Sequence, residues 1–184
     1  MTPLWRATQK TLDDLDLPPP YWAFAWPGGQ ALARFMLDDA AVMRGRRVFA
    51  FAAGSGIDAI AAALAGAHSV VASDIDPFAL SAIAINARAN GVEIETTASD
   101  VLDGPPPDAD IVIAADVFYE GPMSARTQRW LRRCAAAGRT VLTADPGRSY
   151  IPERGLEALS SYDVPTPEEL EDAAEKRTTV YRVD

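Results

Sequence analysis

The sequence has 184 residues, of which 48% are hydrophobic and 23% are charged, and its formal net charge is −9. That length fits one domain, and that composition supports a packed core and excludes extensive disorder. No apolar run reaches the length of a membrane span, and the single cysteine excludes an internal disulfide. The acidic charge and the scattered arginines disfavour nucleic acid as a partner, because such binding rewards a basic face.

The N-terminal stretch MTPLWRATQKTLDDLD lacks the basic and apolar regions of a signal peptide. With the lone cysteine, it predicts a cytoplasmic protein. The acidity is best interpreted as a source of solubility, although it would also steer a basic substrate such as an exposed lysine. Because the surface composition indicates no strong interface, we expect a monomer.

The first predicted element is a helix over residues 2–14, which Thr2 caps and Pro3 opens. Residues 18–20 are prolines and force an extended connector. The aromatic run YWAFAWPGG follows, and then a helix over about residues 30–37. Strands and helices alternate from there, with strands at 46–51, 69–73, 92–98, 110–115 and 139–144 and helices at 57–66, 76–90 and 122–137.

This alternation predicts a Rossmann-like, doubly wound α/β fold with a mostly parallel sheet. The tail adds LEALSSYDV and KRTTVYRV, two strands around a short helix in TPEELEDAAE, with at least one strand antiparallel. We therefore predict a seven-stranded sheet with an antiparallel C-terminal strand. We expect one domain over residues 1–184, made of an N-terminal helical lid at 1–40 and the core at 41–184.

The clearest functional pattern is the strand, glycine turn and helix in VFAFAAGSGIDAIAAA. The small residues around Gly54 and Gly56 allow a ligand to approach the backbone, and the next helix offers free amides. Asp74 follows the second strand, where a carboxylate can accept both hydroxyls of a ribose. Asp100 follows the third strand and Asp116 the fourth, so acids or glycines mark four strand ends. The pattern predicts a nucleoside site, and the glycine spacing alone fits more than one nucleoside cofactor.

In chain order, the segments PPPYWAFAWPGGQALARFMLD, VFAFAAGSG, SDIDPFAL, NARANG, DVFYE and DPGR resemble the electron transfer flavoprotein β-subunit lysine methyltransferases. That family is part of the nicotinamide-methyltransferase-like group of class I enzymes with seven β-strands. The resemblance extends from about Leu4 to Val183. It implies transfer of a methyl group from S-adenosylmethionine to lysines of a protein substrate, the flavoprotein β subunit.

The resemblance also implies roles for particular residues. Its cofactor-binding set comprises Gly54, Gly56, Asp74, Asp100, Trp26 and Gly28. In that set the glycine turn faces the methionine part and the ribose, Asp74 holds the ribose hydroxyls and Asp100 meets the adenine. Trp26 and Gly28 line the pocket from the lid. The catalytic set comprises Asp116 and Tyr119, which border the methyl-transfer site, and no metal is expected because ligand spacings are absent.

Asp116 would attract and orient the lysine ammonium, and the rings of Trp26, Phe118 and Tyr119 would hold the cation. No obligate general base is assigned. Structural alternatives remain open: core packing for Phe118, lid packing for Trp26, and turn capping for Asp100. Capping is the preferred interpretation for Asp76, which precedes Pro77, and a plain turn is preferred for residues 145–148.

The sequence departs from the family pattern at three positions around the glycine turn. Ala50 stands where an acid usually fixes the cofactor amino group, and Ala52 replaces the first glycine. Asp58 lies where relatives tend to be apolar, and it would either supply a replacement charge or favour the helix dipole. The N-terminus is also shorter than expected. A degenerate cofactor-binding protein and an enzyme for a small amine are the alternative functions.

Overall fold

The computed structural model describes residues 10, 11, 14 and 19–184, and it contains one seven-stranded mixed sheet. The strands are β1 (Arg47–Phe51), β2 (Ser69–Ser73), β3 (Glu95–Thr97), β4 (Ile111–Ala115), β5 (Thr140–Asp145), β6 (Leu156–Pro165) and β7 (Glu175–Val183). The helices are α1 (Pro27–Asp38), α2 (Ile57–Leu64), α3 (Pro77–Ala89), α4 (Gly121–Ala136) and α5 (Glu168–Glu171), with single 3-10 turns at Tyr21–Ala23 and Ala40–Val42. Most of the predicted first helix lies outside the described residues.

The strand order is β3-β2-β1-β4-β5-β7-β6, and the first five strands of the chain pair in parallel. β5 pairs with β7, and β7 with β6, in antiparallel register. The predicted fold, including its antiparallel C-terminal strands, is therefore confirmed. Because the carboxyl ends of parallel strands meet at one edge, the loops after β1, β2, β4 and β5 share that edge.

Two hydrophobic cores lie on opposite faces of the sheet, because successive strand residues point to opposite sides. Val48 and Ala50 of β1 belong to the core beneath α1, α2 and α3. Phe49 and Phe51 belong to the other core, where Trp130 of α4 packs 5.1 Å from the Phe51 ring. α4 alone covers that second face among the described helices, with Leu131 and Cys134 fully buried. Burial raises the pKa of the Cys134 thiol to about 11, as expected for a small core residue.

The first helix of the described core begins earlier than its sequence predicts. α1 starts at Pro27 rather than Gln30, because proline is well suited to the first helical position. Gly28 and Gly29 continue the helix even though glycine is a poor helix former. Of the predicted lid, residues 27–38 have a face buried in the core, and residues 19–26 are the part that runs along the edge of the sheet.

Among the described residues, no helix is both long and apolar enough to cross a membrane.

Candidate active site

The glycine turn links β1 to α2 and has a backbone that few residue types adopt. Ala52, Gly54 and Gly56 all have positive φ, at 52°, 52° and 80°. The Gly56 amide closes the turn by donating to the Ala53 carbonyl at 2.7 Å. A side chain at Gly56 would press on Ile83 of α3, 3.1 Å away. The turn is therefore tight, and it brings the free amides at the start of α2 to the ligand-binding edge.

Asp74 is fixed directly against that turn. Its Oδ2 accepts from the Gly54 amide at 2.9 Å, and its Oδ1 accepts from the Asp76 amide at 3.0 Å. Burial raises the pKa of the Asp74 carboxyl, although these amides oppose the effect. Each carboxylate oxygen has a second lone pair, so both retain capacity for a further hydrogen bond. The arrangement fits the predicted recognition of the two ribose hydroxyls.

Two aspartates near Asp74 have local structural partners. Asp76 caps α3, since its side chain accepts from the Phe78 amide at 2.8 Å, as preferred from the sequence. Asp100 is exposed, accepts from the Leu102 amide at 3.1 Å and forms an ion pair with Arg126 at 3.0 Å. The turn-capping alternative for Asp100 thus has a geometric basis. Its contact with the adenine stays a prediction. The two roles are compatible, because a carboxylate with these two partners can accept a further hydrogen bond.

Asp116 follows β4 and connects three parts of the chain. Its backbone is left-handed, with φ of 56°, and its amide donates to the Ala144 carbonyl of β5 at 3.0 Å. The carboxylate accepts from the Gly29 amide of α1 at 3.0 Å and from the Arg148 guanidinium at 3.1 Å. Burial raises the pKa of this carboxyl to about 6, against the opposing charge of Arg148. Asp116 is therefore both a wall of the site and the cap of α1.

Gly28 is required by the same contact. A Cβ at this position would lie 2.5 Å from both the Ala144 carbonyl oxygen and Asp116 Oδ2. No side chain fits there, because one of these atoms belongs to the backbone of the sheet. Gly28 thus allows α1 to approach the strand ends, and its predicted place beside the pocket is consistent with that position.

A buried ionic network adjoins Asp116, and its members other than Asp116 were not predicted as site residues. Arg148 bridges Asp116 and Glu171, at 3.1 and 2.8 Å, and Lys176 contacts the second oxygen of Glu171 at 2.6 Å. Burial raises the pKa of Glu171, but the hydrogen bonds from Lys176 and Arg148 outweigh it, and the net pKa is lowered. At residues 145–148 the sequence favoured a plain turn over contact with substrate, whereas the ion pairs depend on partners brought together by β6 and β7.

The turn itself is present and positions Arg148. Asp145 Oδ1 accepts from the amides of Gly147 and Arg148, at 2.7 and 2.6 Å. Its Oδ2 is buried without a hydrogen bond, and burial raises the pKa of this carboxyl. The side chain therefore orients the loop after β5 and contributes a second buried acid near Asp116.

An aromatic segment, residues 21–26, lies along this edge of the sheet. The Tyr21 ring is 5.4 Å from that of Tyr119 and 6.1 Å from that of Trp26. The Trp26 indole donates to the Tyr21 carbonyl at 2.7 Å, and the Arg148 guanidinium lies 5.9 Å from the Trp26 ring. Trp22 approaches the glycine turn, with its Cα 3.9 Å from where a Gly54 Cβ would lie. The aromatic segment thus joins the glycine turn to the Asp116 network.

Phe118 does not join the aromatic segment. Its side chain is 1% exposed and lies in the core on the α4 face, whereas neighbouring Tyr119 is 46% exposed. The expectation that Phe118 helps to hold a substrate cation is therefore wrong in this structure, and its core alternative is right. Among the three predicted cation-binding rings, Trp26 and Tyr119 remain at the surface of the site.

A cavity of about 870 Å³ opens on a different side, between the aromatic segment and helices α1, α2 and α3. Its wall is mainly apolar and includes Trp22, Phe24, Leu37, Ile60, Phe78 and Ile85. It touches the glycine turn through Ser55, but neither Asp74 nor Asp116 lines it. We place the cofactor at the strand ends rather than here, because the hydrogen-bonding groups converge there.

The position expected to hold an acid on β1 is apolar and inaccessible. Ala50 is fully buried, with Ala72 and Ile113 as its neighbours on the adjoining strands. Asp58, two residues beyond the glycine turn, is instead buried at 3% exposure. Burial raises the pKa of the Asp58 carboxyl to about 7, with a further contribution from the negative charge of Asp116. The negative charge of Asp116 therefore acts on the Asp58 carboxyl.

Comparisons with known proteins agree with this geometry. Residues 31–119 match the family model of ribosomal protein L11 methyltransferase. The chain is 35% identical to an electron transfer flavoprotein β-subunit lysine methyltransferase of Danio rerio, over 98% of this chain and 72% of the relative. The Homo sapiens protein of that name is 40% identical over 70% of this chain and 50% of its own length. Magnesium protoporphyrin IX methyltransferase from Synechocystis, solved with bound SAH, has the same fold, with a TM-score of 0.60 at 17% identity over 85% of this chain and 81% of the other.

Fold, strand-end acids and glycine turn together define a class I methyltransferase that uses S-adenosylmethionine. Asp74 has free acceptor capacity beside the glycine turn, and this arrangement fits the nucleoside of this cofactor. More narrowly, the chain belongs to the electron transfer flavoprotein β-subunit lysine methyltransferase family.

Proposed function

We propose that the protein methylates lysine side chains on the β subunit of an electron transfer flavoprotein. The observation that carries the proposal is a cation already held at the expected methyl-transfer site. Arg148 lies between the Asp116 carboxylate and the Trp26 ring, so this corner of the sheet accommodates positive charge. The names of the relatives support a lysine of the flavoprotein as the cation that would enter.

The exposed rim of the site favours a protein over a small amine. Tyr21 is 44% exposed and Tyr119 is 46% exposed, and their rings pack together at the surface. A small amine is better served by a closed pocket, because such a ligand gains most of its affinity from burial. The negative net charge also favours approach of a lysine-bearing surface.

S-adenosylmethionine, when bound, supplies the electrophilic methyl group. A lysine ammonium would first lose a proton to solvent, because only the neutral amine has the lone pair that the new bond to carbon requires. The carbon–sulfur bond would break as that bond forms, and the sulfur would leave as S-adenosylhomocysteine. Asp116 contributes by position: each of its oxygens retains a lone pair, so it can hold and orient an incoming ammonium. With a pKa of about 6, Asp116 is ionised at neutral pH and is too weak a base to deprotonate an amine whose pKa is about 10.4. Tyr119 and Trp26 would exclude water around the nitrogen.

The direct test uses the purified protein, labelled cofactor and intact electron transfer flavoprotein. We expect label on lysines of the β subunit, located by mass spectrometry of the digested protein. Flavoprotein with its lysines blocked in advance by acetylation is the control, and it should take up no label, because an amide nitrogen is not nucleophilic. Label confined to added small amines, or absent from the flavoprotein, would overturn the proposal.

Asp116→Asn separates the chemistry from cofactor binding. The amide keeps an oxygen for the Gly29 amide but loses the charge that would orient lysine, so transfer should fall by at least ~10²-fold. Binding of S-adenosylhomocysteine, followed by calorimetry, should be largely kept. Asp163→Asn is the matched control, because Asp163 is exposed and pairs with Arg177 on the antiparallel hairpin. An equal loss of cofactor affinity would place Asp116 in the cofactor pocket instead.

A further inference from the structure

Asp58 is a buried carboxylate without a cationic partner among the described residues. Its hydrogen-bond partners there are backbone amides, and the neighbouring Ala59 amide donates to Oδ1 at 2.7 Å. Asp58 is only 3% exposed. An acid that only complements the helix dipole lies exposed in the first turn of its helix. Burying such a group is costly unless something compensates the charge. The helix-dipole interpretation therefore does not account for its burial.

The position of Asp58 is at the cofactor end of the sheet. It lies in the first turn of α2, two residues beyond Gly56, where the start of α1 meets the start of α2. A Cβ on Gly29 would lie 2.8 Å from the Ile57 side chain, and the Gly29 amide reaches Asp116. α1 presents only Pro27, Gly28 and Gly29 at this junction, and none of them carries a charge.

The same corner holds more buried negative than positive charge. Its carboxylates are the buried Asp58, Asp145 and Glu171 together with the largely buried Asp116, and its cations are Arg148 and Lys176. Arg148 serves Asp116 and Glu171 together, and Lys176 also contacts Glu171. Asp58 has no ion pair there, and the negative charge of Asp116 raises its pKa further. A cationic group of a ligand would relieve this imbalance.

We propose that the Asp58 carboxylate accepts a hydrogen bond from the α-ammonium of the cofactor's methionine part. Of the two cationic centres of S-adenosylmethionine, the ammonium has N–H donors and the sulfonium has none. Oδ2 of Asp58 is the acceptor, since Oδ1 is already bonded to the helix backbone. Asp58 thereby takes over a role that β1 cannot perform, because Ala50 is apolar and completely buried. This inference rests on the cofactor and does not depend on the lysine substrate.

The test compares two ligands on one protein by titration calorimetry. One is S-adenosylhomocysteine, and the other is its deaminated analogue, in which hydrogen replaces the α-amino group. The wild-type protein should bind the amino ligand ~10- to 100-fold more tightly, the range expected for a charge-assisted hydrogen bond. Equal affinities in the wild-type protein would overturn the proposal without any variant.

Asp58→Asn should reduce affinity for S-adenosylhomocysteine by a similar ~10- to 100-fold and leave the deaminated ligand unaffected. Asp39→Asn is the matched control, because Asp39 is exposed at the opposite end of α1 and should change neither affinity. Equal weakening of both ligands by Asp58→Asn would show a general disturbance and refute a direct contact. If circular dichroism shows that Asp58→Asn does not fold, the test uses the wild-type protein and Asp58→Glu. The glutamate keeps the charge but moves it, so its preference for S-adenosylhomocysteine over the deaminated ligand should be smaller than that of the wild-type protein.

Discussion

The two ends of the ligand-binding edge are built differently. At the β1 and β2 end, Asp74 is held by backbone amides, with no ion pair among the described residues. At the β4 and β5 end, Asp116 belongs to a buried network of side chains that includes Arg148 and Glu171. The first end is built on main-chain geometry, and the second depends on balanced charge. We therefore expect the second end to be more sensitive to charge-removing substitution.

The largest effect should come from Arg148→Met, which removes the central cation of the network. Asp116 and Glu171 would then both lose the cation that they share. The free energy of unfolding should fall by about 3–5 kcal/mol. Urea denaturation followed by circular dichroism measures the change. Arg34→Met is the control, because its pair with Asp38 is exposed and should contribute less than about 1 kcal/mol. Similar small losses for both variants would mean that the buried network stabilises the fold no more than an exposed ion pair does.

The pH dependence should come mainly from two carboxyls, Asp58 just past the glycine turn and Asp116 at the charged end. The pKa of Asp58 is about 7 when folded and near 3.8 otherwise, so its protonated form favours the folded state. The unfolding free energy of the apo protein should then fall by about 2–4 kcal/mol as pH rises from about 4 to about 7.5. Asp116, with a pKa raised to about 6, acts in the same direction.

Urea denaturation at several pH values between 5 and 7.5 tests that slope. Asp58→Asn should flatten much of it, whereas Asp39→Asn should leave it as in the wild-type protein. A slope that survives in Asp58→Asn would assign the dependence to Asp116 or to other groups. Saturating S-adenosylhomocysteine should also reduce the slope, because a bound cation favours the ionised carboxylates.

Gly28→Ala should have an intermediate effect, since it affects the link between the two ends. The added methyl group would meet the Ala144 carbonyl oxygen at 2.5 Å, and we expect a loss of about 1–3 kcal/mol. Gly29→Ala is the comparison, because its methyl group meets only the Ile57 side chain, which can move. Thermal denaturation should show the larger decrease for Gly28→Ala. The opposite order would mean that the approach of α1 to the sheet is not tight.

The smallest effect should come from Asp76→Ala, at the backbone-built end. Losing the cap of α3 should cost about 1 kcal/mol. Affinity for S-adenosylhomocysteine should be unchanged, because the Asp76 amide still donates to Asp74. Calorimetry at constant pH measures this, and a marked loss of affinity would give Asp76 a binding role.

The backbone-built end was largely predictable from the sequence. Gly54, Gly56 and Asp74 are local features of strand, turn and helix, and parallel strands place them at one edge. The charged end was not, because Arg148 and Glu171 meet only after β6 turns back against β7. No local pattern indicates that pairing.

Two further differences between the sequence predictions and the structure have physical causes. Phe118 and Tyr119 were assigned together from one motif, yet adjacent side chains after a strand point in different directions, and one enters the core. The start of α1 was placed too late because glycine opposes helix formation, whereas Asp116 supplies the missing cap from a distant strand. Side chains that act across the fold therefore mark the limit of sequence reasoning here.

The position of Glu171 also has a consequence for how the protein is made. Its helix, α5, lies between β6 and β7, after all five parallel strands in the chain. During synthesis the parallel sheet and Asp116 therefore emerge before the carboxylate and Lys176 that complete the ionic network. A nascent chain can present its cofactor turn while Arg148 has Asp116 as its available partner. The methyl-transfer corner gains its full charge balance only when the antiparallel hairpin has been added to the sheet.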